Sequence, residues 1–589
     1  MKVGPVFSEY IHTEKTRGRG HYDFSGDMPH VKPILLLIFL TIGLTILLGR
    51  LFWMQIIQGN YYKDLSDSNR IRTVVIHAPR GVIFDRNGKP LVYNVPGFRE
   101  NVNGKTKLLS QKDAIDLLAK GDNHLEVDSL RNYPYKDAFA HVLGYIGQIS
   151  ADDLKKPTMS EYKSGDLIGQ MGVEQSYESV LKGLDGESLY EVDASGKPLR
   201  KLGETDPIPG QNITLTLNAD LQQKVFSAMK NVEKGAAIVS TPNGEILAMV
   251  SKPSFDPNLF TMGKHYSPDA SDNYQKVQDI LLGSAQPLLD RAISGVYPPG
   301  STYKIVVAGA ALQDKVIDDQ FTVDDTGILR IGNFSFANWY YTDNGKTEGL
   351  VNVVKAIKRS NDIFFYKVGQ MVGVDRLSAF SQKFGLGHLL GIDLRGEASG
   401  LVPTKEWKEK VIGDQWYLGD DYHLGIGQGY LLTTPLQVNA WTQAISNGGV
   451  LYVPHVLKSL SPKIAEDNLL SDKNFSLIRE GMIEACQPTG VAWPLFNFKV
   501  KNSELKIDGK NFLQPETATA SGEVAVNVAC KTGTAQHGDA QTMPDSWITL
   551  FAPAYNPKIV VTVLAEDSGE GSNVAGPIAK EILTDYFGK

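Results

Sequence analysis

The sequence predicts an α+β protein carried on a membrane anchor, and three observations lead there. An uncharged apolar run lies near the N-terminus, strand-like runs gather at both ends of the C-terminal two thirds, and helix-forming sequence fills the space between them. Strands from both ends of a domain with helices between them suit an antiparallel sheet with helices on its faces. The termini of that domain should meet in one sheet.

The anchor comes first. Ile34 to Gly49 (ILLLIFLTIGLTILLG) carries no charge; at about 1.5 Å per residue it gives roughly 24 Å of helix, and continuing through RLFWMQII covers a bilayer core of about 30 Å. Arg50 can reach back to the boundary and Trp53 can sit at the interface. Bulky residues follow the run where a signal-peptide cleavage site needs small ones, so an uncleaved anchor over 33–57 is expected after a tail of 1–32. Lys15, Arg17, Arg19 and Lys32 precede the span and Lys63, Arg70 and Arg72 follow it, a slight positive-inside bias.

Next, APRGVIFDRNGKPLVYN (78–94) sets Asp85 to Gly88 as a turn between two β-rich runs. Arg80 and Asp85 within it read as an internal ion pair, because a carboxylate beside arginine has its pKa driven away from neutrality. HVLGYIGQIS and GVEQSYESVLKGLDGE alternate short apolar runs with glycine, giving an extended mixed module over 58–211. At GQNITLTLNADLQQKVFSAMK an alternating strand feeds a helix with Asn218 and Asp220 as candidate caps, so the last domain should cover 212–589. Within it, GAAIVS and ILAMVS flank the turn TPNGE as a hairpin. Strands return at NVACK, WITLFAP and IVVTVLAED, and Pro577 stands where the first residue of a final helix toward Phe587 would be.

Bulk properties exclude several functions. The chain has 589 residues, a formal net charge of -7 and 21% charged residues, so it shows no basic footprint for nucleic acid. Its length suits two or three domains. Cys486 and Cys530 are its only cysteines, which leaves no Cys-based metal cluster, and the histidines lack metal spacing. Neither a metal nor a cofactor is expected. One bridge between the cysteines is open to a chain outside the cytoplasm, as is a small buried role for Cys530; the residues do not decide between them.

Candidate chemistry begins at VYPPGSTYKIVVAGAAL. Pro298, Pro299 and Gly300 stop a helix from extending backwards, so one starts near Ser301, with Lys304 on the same face at i+3. An amine in partly apolar surroundings beside another cation is pushed toward its neutral form and can take a serine proton. The spacing alone is weak, since Ser160, Ser179, Ser227 and Ser503 also precede a lysine by three. Two further elements strengthen it: Ser360, Asn361 and Asp362 between helical runs, and Lys531, Thr532, Gly533 and Thr534 on a strand near the C-terminus. Lys531 offers a point charge to a carboxylate, the threonines offer hydroxyls, and Gly533 permits close backbone approach.

These three elements, in this order, resemble the signature of the penicillin-recognising serine enzymes. The likeness runs from NRIRTVVIHAPRGVIFDRNGKPL through MVSKPSFDPNLF, RAISGVYPPGSTYK, GIDLRGEASGLVPTKEWK and LGIGQGYLLTTPLQ to KTGTAQ. The chain is similar to the class B penicillin-binding proteins, peptidoglycan D,D-transpeptidases, and looks closest to their elongation-specific penicillin-binding protein 2 group. That resemblance implies a transpeptidase fold on a pedestal, with Ser301, Lys304, Ser360 and Asp362 catalytic and Lys531, Thr532, Gly533 and Thr534 substrate-binding. It implies an oxyanion site between the backbone N–H groups of Ser301 and Thr534, stem peptides as donor and acceptor, acylation by β-lactams, a SEDS-type glycan polymerase as partner, and a catalytic domain facing the periplasm from the inner membrane. Asp362 stands where most relatives carry asparagine; its charge would oppose a neutral Lys304, while Lys531 would favour one. GIGQGY has the wrong spacing for a nucleotide loop and reads as a loop bordering the cleft.

The competing expectations are a division-type transpeptidase, a β-lactamase or membrane-bound β-lactam sensor of the same fold, and a scaffold that activates a polymerase. An E-x-x-N arrangement for deacylation is absent between Ser360 and Lys531. A sensor would need more cytoplasmic apparatus than the residues before the anchor supply.

Overall fold

The computed structural model describes residues 31–102, 105–119, 125–193, 197–263, 266–501, 522–538 and 542–588. Most of the expected tail, with Lys15, Arg17 and Arg19, and the decoy Ser503 lie outside the described residues. The chain forms two compact units, one from 1–74 with 188–204 and one from 75–187 with 205–589.

In the first unit, helix α1 (Val31–Phe52) runs on through a π-helical turn at Trp53–Ile57. Pro33–Ile57 is, among the described residues, the one helical stretch long and apolar enough to cross a membrane, and none of it is buried in the protein. Thr41 and Thr45 donate their hydroxyls to the carbonyls of Leu37 and Thr41 at 2.6 and 2.7 Å. Those bonds leave no hydroxyl hydrogen facing an apolar surround. The unit also carries most of a three-stranded sheet in which Gly186–Val192 lies between Ile71–Ile76 and Pro198–Thr205.

The second unit opens with a sheet around the long strand Pro90–Val102, which pairs antiparallel with Ile83–Phe84, Lys105–Ser110 and Leu125–Asn132. The turn between the first two strands is the one expected, but its Arg80–Asp85 ion pair is not formed. Asp85 accepts from the backbone N–H groups of Asn87 and Lys89, both at 2.8 Å, and from Ala219 at 3.1 Å. Arg80 binds Glu174 and Glu178 instead, each at 2.6 Å. A carboxylate at a tight turn finds its own N–H groups first, while an arginine fork reaches partners far along the chain.

The larger part of this unit is built on a five-stranded antiparallel sheet of β1 (Gly235–Ser240), β2 (Ile246–Lys252), β3 (Ala529–Ala535), β4 (Asp545–Ala552) and β5 (Ile559–Ala565), in the order β2-β1-β5-β4-β3. Strands from the two ends of the domain thus meet where β1 pairs β5, Gly235 opposite Ala565. Side chains alternate along a strand: Ala237 and Val239 enter one core, with Leu221, Ile578 and Ile582, while Ala236 and Ile238 enter the other. That second core holds α2 (Lys304–Gln313), α3 (Val353–Arg359), α4 (Asp362–Val372) and α5 (Pro435–Ser446). Helix α2 is apolar all round because it is buried all round, with every residue but Gln313 buried. Two further helices complete the layers, α6 (Asp472–Ala485) and α7 (Ala575–Phe587). Pro577 is the third residue of α7 and not its first; it is tolerated there because the first four N–H groups of a helix have no intrahelical acceptor.

Candidate active site

Ser301 occupies a 3-10 turn, Gly300–Tyr303, one turn ahead of α2. Two glycines make the approach to it feasible. Gly300 has φ +53, and its N–H donates to the carbonyl of Gly427 at 2.9 Å. Gly427 has φ +76, and a Cβ on it would lie 2.2 Å from the Gly300 oxygen. The GIGQGY loop therefore lies directly against the turn that bears Ser301. Its Gln428, with the amide oriented to satisfy both groups, donates to the Gln536 carbonyl at 3.2 Å and accepts from the Gln536 N–H at 3.1 Å. The expected loop at the cleft is thus a tie between the serine turn and the end of β3.

Lys304 is fully buried at the start of α2. Its ammonium nitrogen donates to the Ser360 carbonyl at 2.8 Å, to Ser360 Oγ at 3.3 Å and to Asp362 Oδ1 at 2.6 Å. Ser360 closes α3 in the left-handed region, φ +52, and Asn361 caps α4 by accepting from the Phe364 N–H at 2.9 Å. A non-glycine residue held at positive φ costs of order 1 kcal/mol and persists only where its surroundings over-determine it. Here the two helix ends fix it.

The odd-numbered residues of β3 face the helical core: Ala529 lies in the core with α2, and Cys530 in the other. Lys531 shares the Ala529 side, is buried, and donates through Nζ to Ser360 Oγ at 2.8 Å and to the Thr532 carbonyl at 2.8 Å. Gly533 passes close to the serine turn, since a Cβ on it would lie 3.0 Å from Thr302 Cγ2 and 3.1 Å from the Pro299 oxygen. The Thr534 hydroxyl accepts from the Gly571 N–H at 3.3 Å. Strand β3 is the sheet's edge. The sequence-designated residues 301, 304, 360, 362 and 531–534 are therefore gathered at one place.

The electrostatics answer the question that Asp362 raised. Burial drives the Lys304 amine down from its ordinary value; Asp362 pushes it back up, and burial prevails. Lys531 is driven well down, first by burial and then by the charge of Lys304, with Asp362 opposing. Two amines tending to the neutral form thus share one hydroxyl, that of Ser360. Such a set can accept a proton from one oxygen and pass it to a neighbouring atom.

Sequence reasoning missed the residues that hold this arrangement. Asp325, Asn338 and Trp339 stand outside every motif, and their spacing carries no signal. Cys486 and Cys530, whose relation the residues left open, form a disulfide joining the end of α6 to β3.

Residues 235–584 match the penicillin binding protein transpeptidase domain, and residues 123–215 match the penicillin-binding protein dimerisation domain. The peptidoglycan D,D-transpeptidase MrdA of Acinetobacter baumannii is 32% identical over 93% of this chain and 87% of its own length; that of Escherichia coli K12 is 31% identical over 91% of each. The stage V sporulation protein D of Bacillus subtilis is 25% identical. Among solved structures, Pseudomonas aeruginosa PBP2 in complex with WCK 5153 has a TM-score of 0.67 at 32% identity, covering 87% of this chain and 96% of that one. The Helicobacter pylori complex of PBP2 with MreC has a TM-score of 0.71 at 27% identity, covering 88% and 99%. With its serine turn, two lysines and edge strand brought together, the chain belongs to the penicillin-binding proteins and is a peptidoglycan D,D-transpeptidase of the elongation type.

Proposed function

We propose that Ser301 is the nucleophile of a D-Ala-D-Ala transpeptidation in which Lys304 is the base. Ser301 Oγ attacks the carbonyl between the two D-alanines while its proton passes to neutral Lys304. The tetrahedral oxyanion is held by the backbone N–H groups of Ser301 and Thr534. Ser360, bonded to both lysines, relays the proton to the amine of the departing D-alanine, leaving a serine ester. An amine on a neighbouring stem peptide attacks that ester, displaces Ser301 and forms the cross-link. Lys531, Thr532 and Thr534 bind the donor carboxylate, and Gly533 lets its backbone lie along the edge strand. β-Lactams imitate this donor and remain on Ser301.

The observation that carries this reading is the meeting of Lys304 and Lys531 on one Ser360 hydroxyl beside the Ser301 turn. The site belongs to a catalytic domain of 212–589 on a pedestal of 58–211, facing the periplasm from the single span at 33–57. A SEDS-type polymerase and the elongation machinery are its partners, in keeping with the Helicobacter pylori PBP2–MreC complex. The test is acylation of the detergent-solubilised chain by fluorescent penicillin: stable labelling that Ser301→Ala abolishes supports the reading. Labelling that survives Ser301→Ala, or rapid turnover of the drug, removes it.

A further inference from the structure

Asp325 is a buried carboxylate that no step of the reaction uses. It ends a short strand, Val323–Asp325, and gathers four donors: its Oδ1 accepts from the Gly327 N–H at 2.8 Å, and its Oδ2 from Asn361 Nδ2 and Asn338 Nδ2, both at 2.9 Å, and from the Glu348 N–H at 3.0 Å. Asn338 and Asn361 are fully buried. Each passes the constraint on, for Asn338 Oδ1 accepts from the Asp362 N–H at 3.1 Å and Asn361 Oδ1 from the Phe364 N–H at 2.9 Å. The next residue, Trp339, donates its backbone N–H to Asp362 Oδ2 at 3.0 Å and its indole N–H to the Arg359 carbonyl at 2.9 Å. Both sides of Ser360 are thereby held from outside the motif. A carboxylate with four good donors and no cation is a hydrogen-bonded hub whose loss leaves several buried polar groups unpaired.

We propose that Asp325, acting through Asn338 and Asn361, is a positioning residue that holds Asp362 and so sets the protonation of Lys304. This rests on the reading of Lys304 as the base. The charged or titratable groups facing that amine are Asp362 from α4 and Lys531 from β3, with the Ser360 hydroxyl between them and the Phe365 ring at 5.6 Å. One Asp362 oxygen bonds the amine and the other bonds Trp339. When the Asn338–Trp339 turn is released, the second oxygen loses its donor and more of the carboxylate's charge acts on Lys304, favouring the ammonium.

The experiment measures the second-order rate of fluorescent-penicillin labelling against pH, using the full chain in detergent. Asp325→Asn keeps the shape and breaks the donor pattern, and Asn338→Ala cuts only the arm to Asp362, so the idea stays testable if one variant folds poorly. Expected for both is a loss of about tenfold to a hundredfold near neutral pH, with the acid limb of the profile moved up by roughly one unit. Val239→Ala, in the core on the far side of the sheet, should lower the melting temperature without moving that limb. An acid limb that stays in place or moves down in both hub variants overturns the proposal while leaving Ser301 and Lys304 untouched. Labelling that persists in Ser301→Ala overturns the reading beneath it instead.

Discussion

Two buried ionic clusters in this molecule have opposite outcomes. In the pedestal, burial pushes the Glu174 carboxyl up, but the guanidinium groups of Arg131 and Arg80 more than reverse it and leave it below its ordinary value. In the active site, burial pushes Lys304 down and a single carboxylate, Asp362, does not restore it. The count of opposing charges separates them. With two partners at 2.6 and 2.7 Å, Glu174 stays ionised and serves as a strut. With one partner, Lys304 stays below its ordinary value, the direction that the proposed role as base requires. His141 extends the series to none: burial first, with the charge of Arg291 adding to it and a bond to the Pro287 carbonyl opposing, takes it to about 4.

The two-partner and one-partner members of that series can be broken experimentally. Lys304→Met, which removes the amine and keeps most of the volume, should cut the penicillin acylation rate by about a hundredfold to ten-thousandfold; a variant acylating within about threefold of wild type would show that Lys304 is not the base. Glu174→Gln strands two buried arginines, so denaturant unfolding should show a loss of about 3–5 kcal/mol, with the acylation rate of the folded fraction unchanged.

The middle of the range concerns His141. Its folded value lies below the unfolded value of 6.5, so as pH falls below 6.5 the unfolded chain takes up the proton first and stability is lost until about pH 4. Between pH 7 and 5 this amounts to about 2 kcal/mol. Asp290 runs the other way: burial raises its carboxyl to about 6, so it favours the folded state as pH falls from there toward 3.8. His141→Gln should therefore make unfolding free energies at pH 5 approach or exceed those at pH 7. The smallest effect is expected of Asp362→Asn. Removing the opposing charge lets Lys304 fall further, and the acid limb of the acylation profile should move down by roughly one unit.

The candidate site was more legible in the sequence than its supports. Ser301 and Lys304 are three residues apart, and KTGT is four consecutive positions on a strand, so these candidates could be named from local sequence, and the fold brings them together. Arg80 was misassigned because its partners lie 94 and 98 residues away, while Asp85, only five positions distant, belongs to its own turn. Asp325 and Asn338 escaped for the same reason: their significance arises where the segment before α3 folds back on the residues after it. The balance between burial and Asp362 at Lys304 needed coordinates too, since a burial penalty has no expression in residue order.

The disulfide places an oxidation step within the strand proposed to receive substrate, one residue before Lys531. Cys530 immediately precedes Lys531, and its bond to Cys486 closes a separation of 44 residues, a constraint worth about 4 kcal/mol in chain entropy. Thiols stay reduced in the cytoplasm and pair beyond it. On the proposed periplasmic topology, a newly made chain has this strand clamped only after translocation, which makes arrival outside the cytoplasm a stage in the enzyme's own maturation.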